Sequence, residues 1–175
     1  MIIKILIVFI MVIAGVALYA FTTAPKVFVV SRSIVINASA AKIFPYVNNP
    51  RKMEEWNPFT AGDATVKLSY SGPEEGVGAQ SAWEGNSNTG IGQATITESE
   101  RDKGVAVRLD FKKPFEGVNY GAYQLEAQGD KTLFVWTINE NSLIPRLLSR
   151  ILNLDKMIGT KFESDMAKLK SLLEG

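Results

Sequence analysis

Hydrophobic and polar residues follow three patterns in turn along this chain. The run from Ile2 to Phe21 is apolar except for Lys4. From Ala64 to Glu140, short runs alternate apolar and polar residues between turn-forming residues, which predicts strands. Beyond Glu140, apolar residues recur at steps of three and four, which predicts helices. The pattern therefore predicts an apolar amino-terminal helix followed by one α+β domain.

The amino-terminal run has the properties of a membrane-spanning helix. Such a helix needs about 20 apolar residues to cross the hydrocarbon core. Lys4 lies at one edge of the run, where its long side chain can extend to the headgroups. Tyr19 and Phe21 lie at the other edge, where aromatic rings are favoured. We interpret residues 1–22 as one transmembrane helix, 23–27 as a linker and 28–175 as a soluble domain.

Two alternatives for this run stay open, a cleaved signal peptide and a buried core helix. Signal peptides usually have a shorter apolar region of about 7–15 residues. Here the small residues Thr22 to Ala24 are followed by Pro25, a poor residue to present to a peptidase. The sequence thus favours a single-pass amino-terminal anchor. Lys4 on one side and Lys26 on the other leave undetermined which side of the membrane the domain faces.

The segment after the anchor predicts a strand, two short helices and six more strands. Ser39 is a candidate N-cap for the first helix, and Pro50 suits the first position of the second, which ends at Trp56. Gly129 and Asp130 suit a two-residue hairpin turn. The predicted strands are Val27–Asn37, Ala64–Ser71, Gly78–Gly85, Gly92–Glu100, Gly104–Lys112, Gly117–Gln128 and Lys131–Asn139.

The carboxy-terminal part predicts a long helix that must bury one apolar stripe. A short stripe comes first, and Asn153 is a candidate cap for the longer helix that follows. Seven antiparallel strands form a strongly curved sheet, and its concave side is the large apolar face on which the helix can pack. A cavity between sheet and helix is a natural result. The two stripes are Ile144, Leu147, Leu148 and Ile151, then Ile158, Phe162, Met166, Leu169 and Leu173.

Composition excludes several kinds of chemistry. The chain has 19 basic and 18 acidic residues, so it has no strong electrostatic signature for nucleic acid. Cysteine and histidine are both missing, which removes thiolate nucleophiles, zinc–sulfur sites and the commonest general base. The carboxylates of Glu84 and Glu98 are interpreted as solvated strand residues. We expect no metal, no cofactor and no nucleic-acid partner, and no residue is nominated as catalytic.

Several local motifs lie along the part of the chain that follows the apolar run. They are Trp56-Asn57-Pro58-Phe59, Gly76-Val77-Gly78-Ala79, Trp83-Glu84-Gly85, Thr132 to Trp136, and Ile158-Gly159 with Phe162-Glu163, Met166 and Leu169-Lys170. With these motifs in this order and spacing, the chain resembles the START-like, helix-grip superfamily, also called SRPBCC. Within it, the chain is most similar to the polyketide cyclase/dehydrase and lipid-transport group. The resemblance spans residues 28 to 174 and implies a seven-stranded curved antiparallel sheet wrapped around a long carboxy-terminal helix.

Eight residues are candidates for lining the cavity that this fold implies. For the aromatic residues and the methionine, ordinary core packing is the alternative interpretation. Gly159 lies inside the predicted last helix, where glycine costs about 1 kcal/mol relative to alanine. It either marks a break between two helical pieces or lets a ligand or strand approach closely. The candidates are Trp56, Trp83, Phe111, Tyr123, Trp136, Gly159, Phe162 and Met166.

Three functions fit these observations. The first is a membrane-tethered protein that binds a small hydrophobic ligand, such as a lipid, between the sheet and the last helix. The second is a cyclase-like or dehydratase-like enzyme that acts on a hydrophobic substrate in the same cavity. It would need an inward-facing carboxylate or tyrosine with a perturbed pKa. The third is a module that binds another protein through its surface, which a fully packed interior would favour.

Overall fold

The structure, a computed structural model, describes residues 2–23, 27–57, 63–87, 89–114, 116–140, 149 and 152–175. Four helices and seven strands lie in these ranges. The predicted stripe from Ile144 to Ile151 falls outside them. The elements are α1 (Ile2–Thr23), β1 (Phe28–Ile36), α2 (Ala40–Asn48), α3 (Pro50–Trp56), β2 (Lys67–Ser71), β3 (Gln80–Glu84), β4 (Ile91–Glu100), β5 (Gly104–Lys113), β6 (Gly117–Gln128), β7 (Lys131–Glu140) and α4 (Leu154–Glu174).

All seven strands form one antiparallel sheet in the order β1-β7-β6-β5-β4-β3-β2. The first strand therefore closes back beside the last one, with Phe28 opposite Glu140 and Ile36 opposite Thr132. The sheet is curved, and α4 packs across its inner face close to β1. This arrangement confirms the predicted α+β helix-grip fold and its element order.

The two short helices are fixed by their caps and by their apolar faces. The Asn49 side chain accepts hydrogen bonds from the backbone N–H groups of Arg51 and Lys52, and Pro50 occupies the first turn of α3 as predicted. Ser39 does stand at the N-cap of α2, but its side chain makes no capping hydrogen bond. Ile43 and Val47 of α2 are buried in the core.

Two predicted strand starts are wrong by two or three residues, because turn chemistry occupies those positions. β2 begins at Lys67 instead of Ala64, since Asp63 accepts hydrogen bonds from Thr65 and from the backbone N–H of Asn86. The bond from the Asn86 backbone is the largest influence, and together these bonds lower the pKa of Asp63 to about 2. β3 begins at Gln80 instead of Gly78, which has φ of 89° in the preceding turn.

The apolar stripe of α4 is buried as predicted. Phe162, Met166, Leu169 and Leu173 all belong to the core cluster, and Ile158 packs against it. The helix is continuous through Gly159, so this glycine does not break it. Asn153 lies at the N-cap as predicted, in a left-handed conformation (φ 47°), and its side chain makes no capping hydrogen bond.

The amino-terminal helix α1 differs from the rest of the chain in its exposure. Its apolar side chains face solvent in the described structure, as at Ile3, Phe9 and Phe21. Among the described residues, it is the one helix long and apolar enough to cross a membrane. None of the described residues in the buried core cluster belongs to α1.

Candidate functional site

The pleat of the sheet decides which candidates face α4. Side chains alternate between the two faces of a strand, and paired residues share a face. Trp136 pairs with Tyr123, which pairs with Val105, and all three are buried on the inner face. Several strands away in the sheet, Trp83 of β3 pairs with Gly92 of β4, and both lie on the same face of the sheet. The structure thus places the four strand candidates, Phe111 included, on the inner face.

Trp56 lies at the centre of one aromatic cluster. Its ring is fully buried and meets Tyr123, Phe134 and Trp136 edge to face, with ring centroids 5.6–5.8 Å apart. The indole N–H donates to the backbone carbonyl of Tyr46 at 2.9 Å, so its polar group is satisfied. Phe134 was missing from the sequence candidates, although strand alternation places it two residues from Trp136 on the same face. These contacts attach α3 to the sheet.

Phe162 joins α4 to the same cluster. Its ring stacks on Trp136 with centroids 3.6 Å apart and an angle of 6° between the planes. Met166, one helical turn further along, is buried in the core. Five candidates (Trp56, Tyr123, Trp136, Phe162 and Met166) therefore pack together between α3, α4 and the middle of the sheet.

Trp83 and Phe111 form a separate pair near the ends of β3 and β5. Their ring centroids lie 5.7 Å apart at an interplanar angle of 72°. The Trp83 ring lies over Gly92, where an added β-carbon would overlap it. Gly92 therefore sets the position of this indole, and its place opposite a tryptophan could not be read from the sequence without the strand register.

Gly159 lies against Arg32 of β1. A β-carbon at this position would overlap the guanidinium group. Arg32 donates from Nε to Glu163 at 3.0 Å and from Nη2 to the Asp155 carboxylate at 2.9 Å. Its Nη2 also donates to the Asp155 backbone carbonyl at 3.0 Å. The close approach expected at Gly159 is thus made by a strand side chain that joins β1 to α4.

Tyr123 and Asp165 are the buried ionisable groups beside the aromatic cluster. Burial raises the pKa of the Tyr123 phenol above its usual value. The Asn57 side chain, which hydrogen-bonds the phenol, acts in the opposite direction, and the charge of Asp165 raises this pKa further. The Asp165 carboxylate has no solvent exposure and is paired with Lys161 and Lys168, whose side chains are half exposed. By contrast, Glu84 and Glu98 are exposed, as predicted.

The inner face divides into a closed half and an open half. In the closed half, β1, β6 and β7 are covered by α3 and α4, and Val30, Ile36 and Phe134 have no exposure. The inner-face residues Ile96, Val105, Val107 and Leu109 of β4 and β5 are buried as well. The open half is therefore limited to the inner-face residues of β2 to β5 that keep partial exposure beside the buried Trp83. These residues are Leu68, Ser81, Ala94 and Phe111. The open half is therefore a largely apolar, partly exposed stretch of the inner face.

A more polar recess of about 300 Å³ lies at the other end of β2 and β3. Arg51 lies over the ring of Tyr70, 4.2 Å from its centroid, and Glu74 and Gln80 complete the wall. This recess contains none of the eight sequence candidates. Its mixed charge distinguishes it from the apolar open half.

Comparison with solved structures shows the same fold in proteins of low sequence identity. The Aha1 dimer from Colwellia psychrerythraea superposes with a TM-score of 0.58 at 19% identity, covering 84% of this chain and 96% of that one. CV1439 from Chromobacterium violaceum gives 0.59 at 12% identity, covering 86% and 99%. CalU16 from Micromonospora echinospora gives 0.50 at 14% identity, covering 85% of each chain. These likenesses establish the fold alone.

Comparison with protein families is more specific. No curated protein matches the chain. The model of the family described as polyketide cyclase/dehydrase and lipid transport matches residues 27–174, which is essentially everything after α1. The chain belongs to the polyketide cyclase/dehydrase and lipid transport family.

Proposed function

We propose that this protein is tethered to a membrane by α1 and binds a small hydrophobic molecule, such as a lipid, on the inner face of its sheet. The open half of that face is the single observation that supports the proposal most directly. Family membership supports it as well, since this family is built on a hydrophobic ligand-binding fold. The apolar, exposed α1 would keep the site next to a source of lipid.

The ligand would contact the open half, and the five packed candidates would lie in the closed half beside it. Trp83 and Phe111 offer ring faces and edges for apolar contact, next to the small side chains of Ser81 and Ala94. Burying apolar surface contributes about 25 cal/mol per Å² removed from water. A ligand that covers about 200 Å² of this surface would gain about 5 kcal/mol before the cost of association.

A matched pair of substitutions tests the site. Ala94→Leu adds a bulky side chain to the open half, whereas Ala82→Leu adds the same volume on the opposite face of the sheet. We expect native mass spectrometry of the full chain, extracted in mild detergent, to show a co-purifying hydrophobic molecule. Ala94→Leu should lose it and Ala82→Leu should retain it. A protein that is reproducibly empty, and whose Tm no lipid extract raises, would contradict the proposal.

The tether has its own test. The intact mass of the protein from cell membranes should include residues 1–23, because an anchor is retained and a signal peptide is removed. Protease protection in intact cells, or a reporter fused after Gly175, would then show which side the domain faces. A mature chain that begins near residue 25 would remove the tether from the proposal and leave the ligand site standing.

An enzyme of the cyclase or dehydratase type is the second candidate, favoured by the buried phenol of Tyr123. A phenol whose pKa is raised stays protonated and can donate a hydrogen bond to an oxygen that gains charge during reaction. Asp165 is the nearby carboxylate. Tyr123→Phe should then abolish turnover of a bound substrate while ligand binding persists. Equal turnover by Tyr123→Phe would eliminate this chemistry.

A further inference from the structure

The antiparallel register decides which strand ends lie together at each end of the sheet. Because every pair is antiparallel, the first residue of β1 lies beside the last of β7, and Ile91, the first of β4, lies beside Lys113, the last of β5. Glu84, the last of β3, lies beside Lys67, the first of β2. We name the end of the sheet at which β1 begins the basal end. The distal end is the opposite one, with the turns at 72–79, 101–103 and 129–130.

The helix α4 runs in the same direction as β1, so its start is the end of the helix that lies nearer the basal end. Near its start, Asp155 pairs with Arg32 in the middle of β1. Near its end, Lys170 donates to the carbonyl of Val35, and Glu174 accepts from the backbone N–H of Asn37. Large apolar side chains are exposed at the start of α4 and just before it, with Met157 63% exposed and Leu152, two residues before the helix, 56% exposed.

The tether restricts where the basal end can go. α1 ends at Thr23 and β1 begins at Phe28. Five residue steps of extended chain reach at most about 18 Å. The strands are about ten residues long, so the distal end lies roughly 30 Å further along the sheet. If α1 spans the bilayer, the basal end stays close to the bilayer surface and the distal end can be held away from it.

The charges of the two ends also favour the basal end as the one that lies close to the bilayer. Near an anionic surface, each basic residue contributes about 1 kcal/mol of attraction. At the basal end, exposed lysines outnumber exposed unpaired carboxylates, with Lys67, Lys112, Lys113 and Lys156 against Glu84 and Glu116. At the distal end, carboxylates exceed basic residues by one, with Glu74, Glu75, Glu100, Asp102, Asp130 and Glu174 against Lys42, Arg101, Lys103, Lys131 and Lys170.

We propose that the basal end is a docking surface for an anionic lipid bilayer, with the exposed apolar residues at the start of α4 in contact with the headgroup region. This inference rests on the proposed tether. Its consequence concerns the ligand. Trp83 and Phe111 lie within one or two residues of the basal ends of β3 and β5. The open half therefore opens toward the surface that supplies a lipid.

Single cysteines test this orientation cleanly, because the chain has none of its own. Glu84→Cys at the basal end and Glu75→Cys at the distal end are a matched pair of exposed glutamates. The full chain, with a fluorophore at either position, is reconstituted in vesicles of phosphatidylcholine and phosphatidylglycerol that contain a headgroup-attached quencher. We expect several-fold stronger quenching at position 84 than at position 75. Equal quenching at the two positions, or stronger quenching at 75, would overturn the proposal.

Two controls separate this inference from the tether on which it rests. Flotation of the vesicles in alkaline carbonate reports anchoring alone, and a chain that fails to float removes the tether and the inference together. For a chain that floats, Lys112→Glu with Lys113→Glu should weaken quenching at position 84. The distal pair Arg101→Glu with Lys131→Glu should not weaken it. Equal effects of the two charge reversals would show that basal charge does not set the orientation, although the anchor stands.

Discussion

Replacing Gly159 by alanine is expected to destabilise the domain, although the same change stabilises most helices. In a helix interior, glycine to alanine gains about 1 kcal/mol. Here the new β-carbon would overlap the Arg32 guanidinium, which must then leave Glu163, the Asp155 carboxylate and the Asp155 carbonyl. The two carboxylates are more than half exposed, so each ion pair is worth at most about 0.5 kcal/mol.

The sum of these contributions predicts the sign of the stability change and the coupling energy between Gly159 and Arg32. Two exposed ion pairs and one hydrogen bond to a carbonyl total about 2 kcal/mol. Subtracting the propensity gain leaves Gly159→Ala destabilised by about 1 kcal/mol in the presence of Arg32. In an Arg32→Ala background no overlap occurs, and Gly159→Ala should stabilise by about 1 kcal/mol. The coupling energy between the two sites is therefore about 2 kcal/mol.

Chemical denaturation of the full chain in non-ionic detergent measures this cycle. The three tryptophans lie at positions 56, 83 and 136, so their fluorescence reports unfolding of the domain without a signal from α1. The four proteins (wild type, Gly159→Ala, Arg32→Ala and the double variant) provide the coupling energy through their free energies of unfolding. Effects of Gly159→Ala that agree within about 0.5 kcal/mol in the two backgrounds would refute the reasoning.

Three further predictions concern the folded domain. Phe162→Ala should cost about 3–5 kcal/mol in a denaturant titration, since it removes the ring stacked on Trp136; a cost below about 1 kcal/mol would mean that this stack does not hold α4. Thr132→Val should cost about 1–3 kcal/mol because the buried hydroxyl donates to the Ala38 carbonyl at 2.8 Å, and Thr132→Ser should restore most of that loss. The Asp63 pKa is about 2, below its ordinary 3.8, so Asp63 stabilises the fold above about pH 4 and loses this effect as the pH falls toward 2. Between about pH 4 and pH 2, the urea midpoint should therefore fall more steeply in the wild type than in Asp63→Asn, and parallel curves would exclude this role.

Local sequence signals predicted the elements because each had its own physical cause. Pro50 after Asn49 indicated the start of α3, and the Asn49 side chain caps it as expected of that residue type. The start of β2 at Lys67 was shifted by hydrogen bonds between distant segments, and the start of β3 at Gln80 by the positive φ of Gly78. The bond from Asn86 to Asp63, for example, joins residues 23 positions apart. No pattern within a single segment contains such information.

The candidate residues could be predicted as cavity-lining but not by position across the sheet. Trp83 and Trp136 were predicted to line one cavity, yet the strand order shows that they lie in different halves of the inner face. Arg32 was missed, although two signals were present. It interrupts the apolar inward series between Val30 and Ile34, and Gly159 interrupts a helix. Each was an anomaly on its own, and in the fold they have one cause, because Arg32 and Gly159 lie against each other.

If α1 holds the protein at a bilayer as proposed, the exposed edge of strand β1 has a consequence for neighbouring copies on that surface. β1 is an edge strand, and edge strands with free carbonyls invite pairing with another copy and aggregation. Along β1, the Ser31 carbonyl accepts from Nη1 of Arg32 at 2.8 Å, and the Val35 carbonyl accepts from Nζ of Lys170 at 2.8 Å. These basic side chains occupy acceptors that a neighbouring strand would need. Crowding at a bilayer surface would therefore bring copies together without letting their sheets merge through β1.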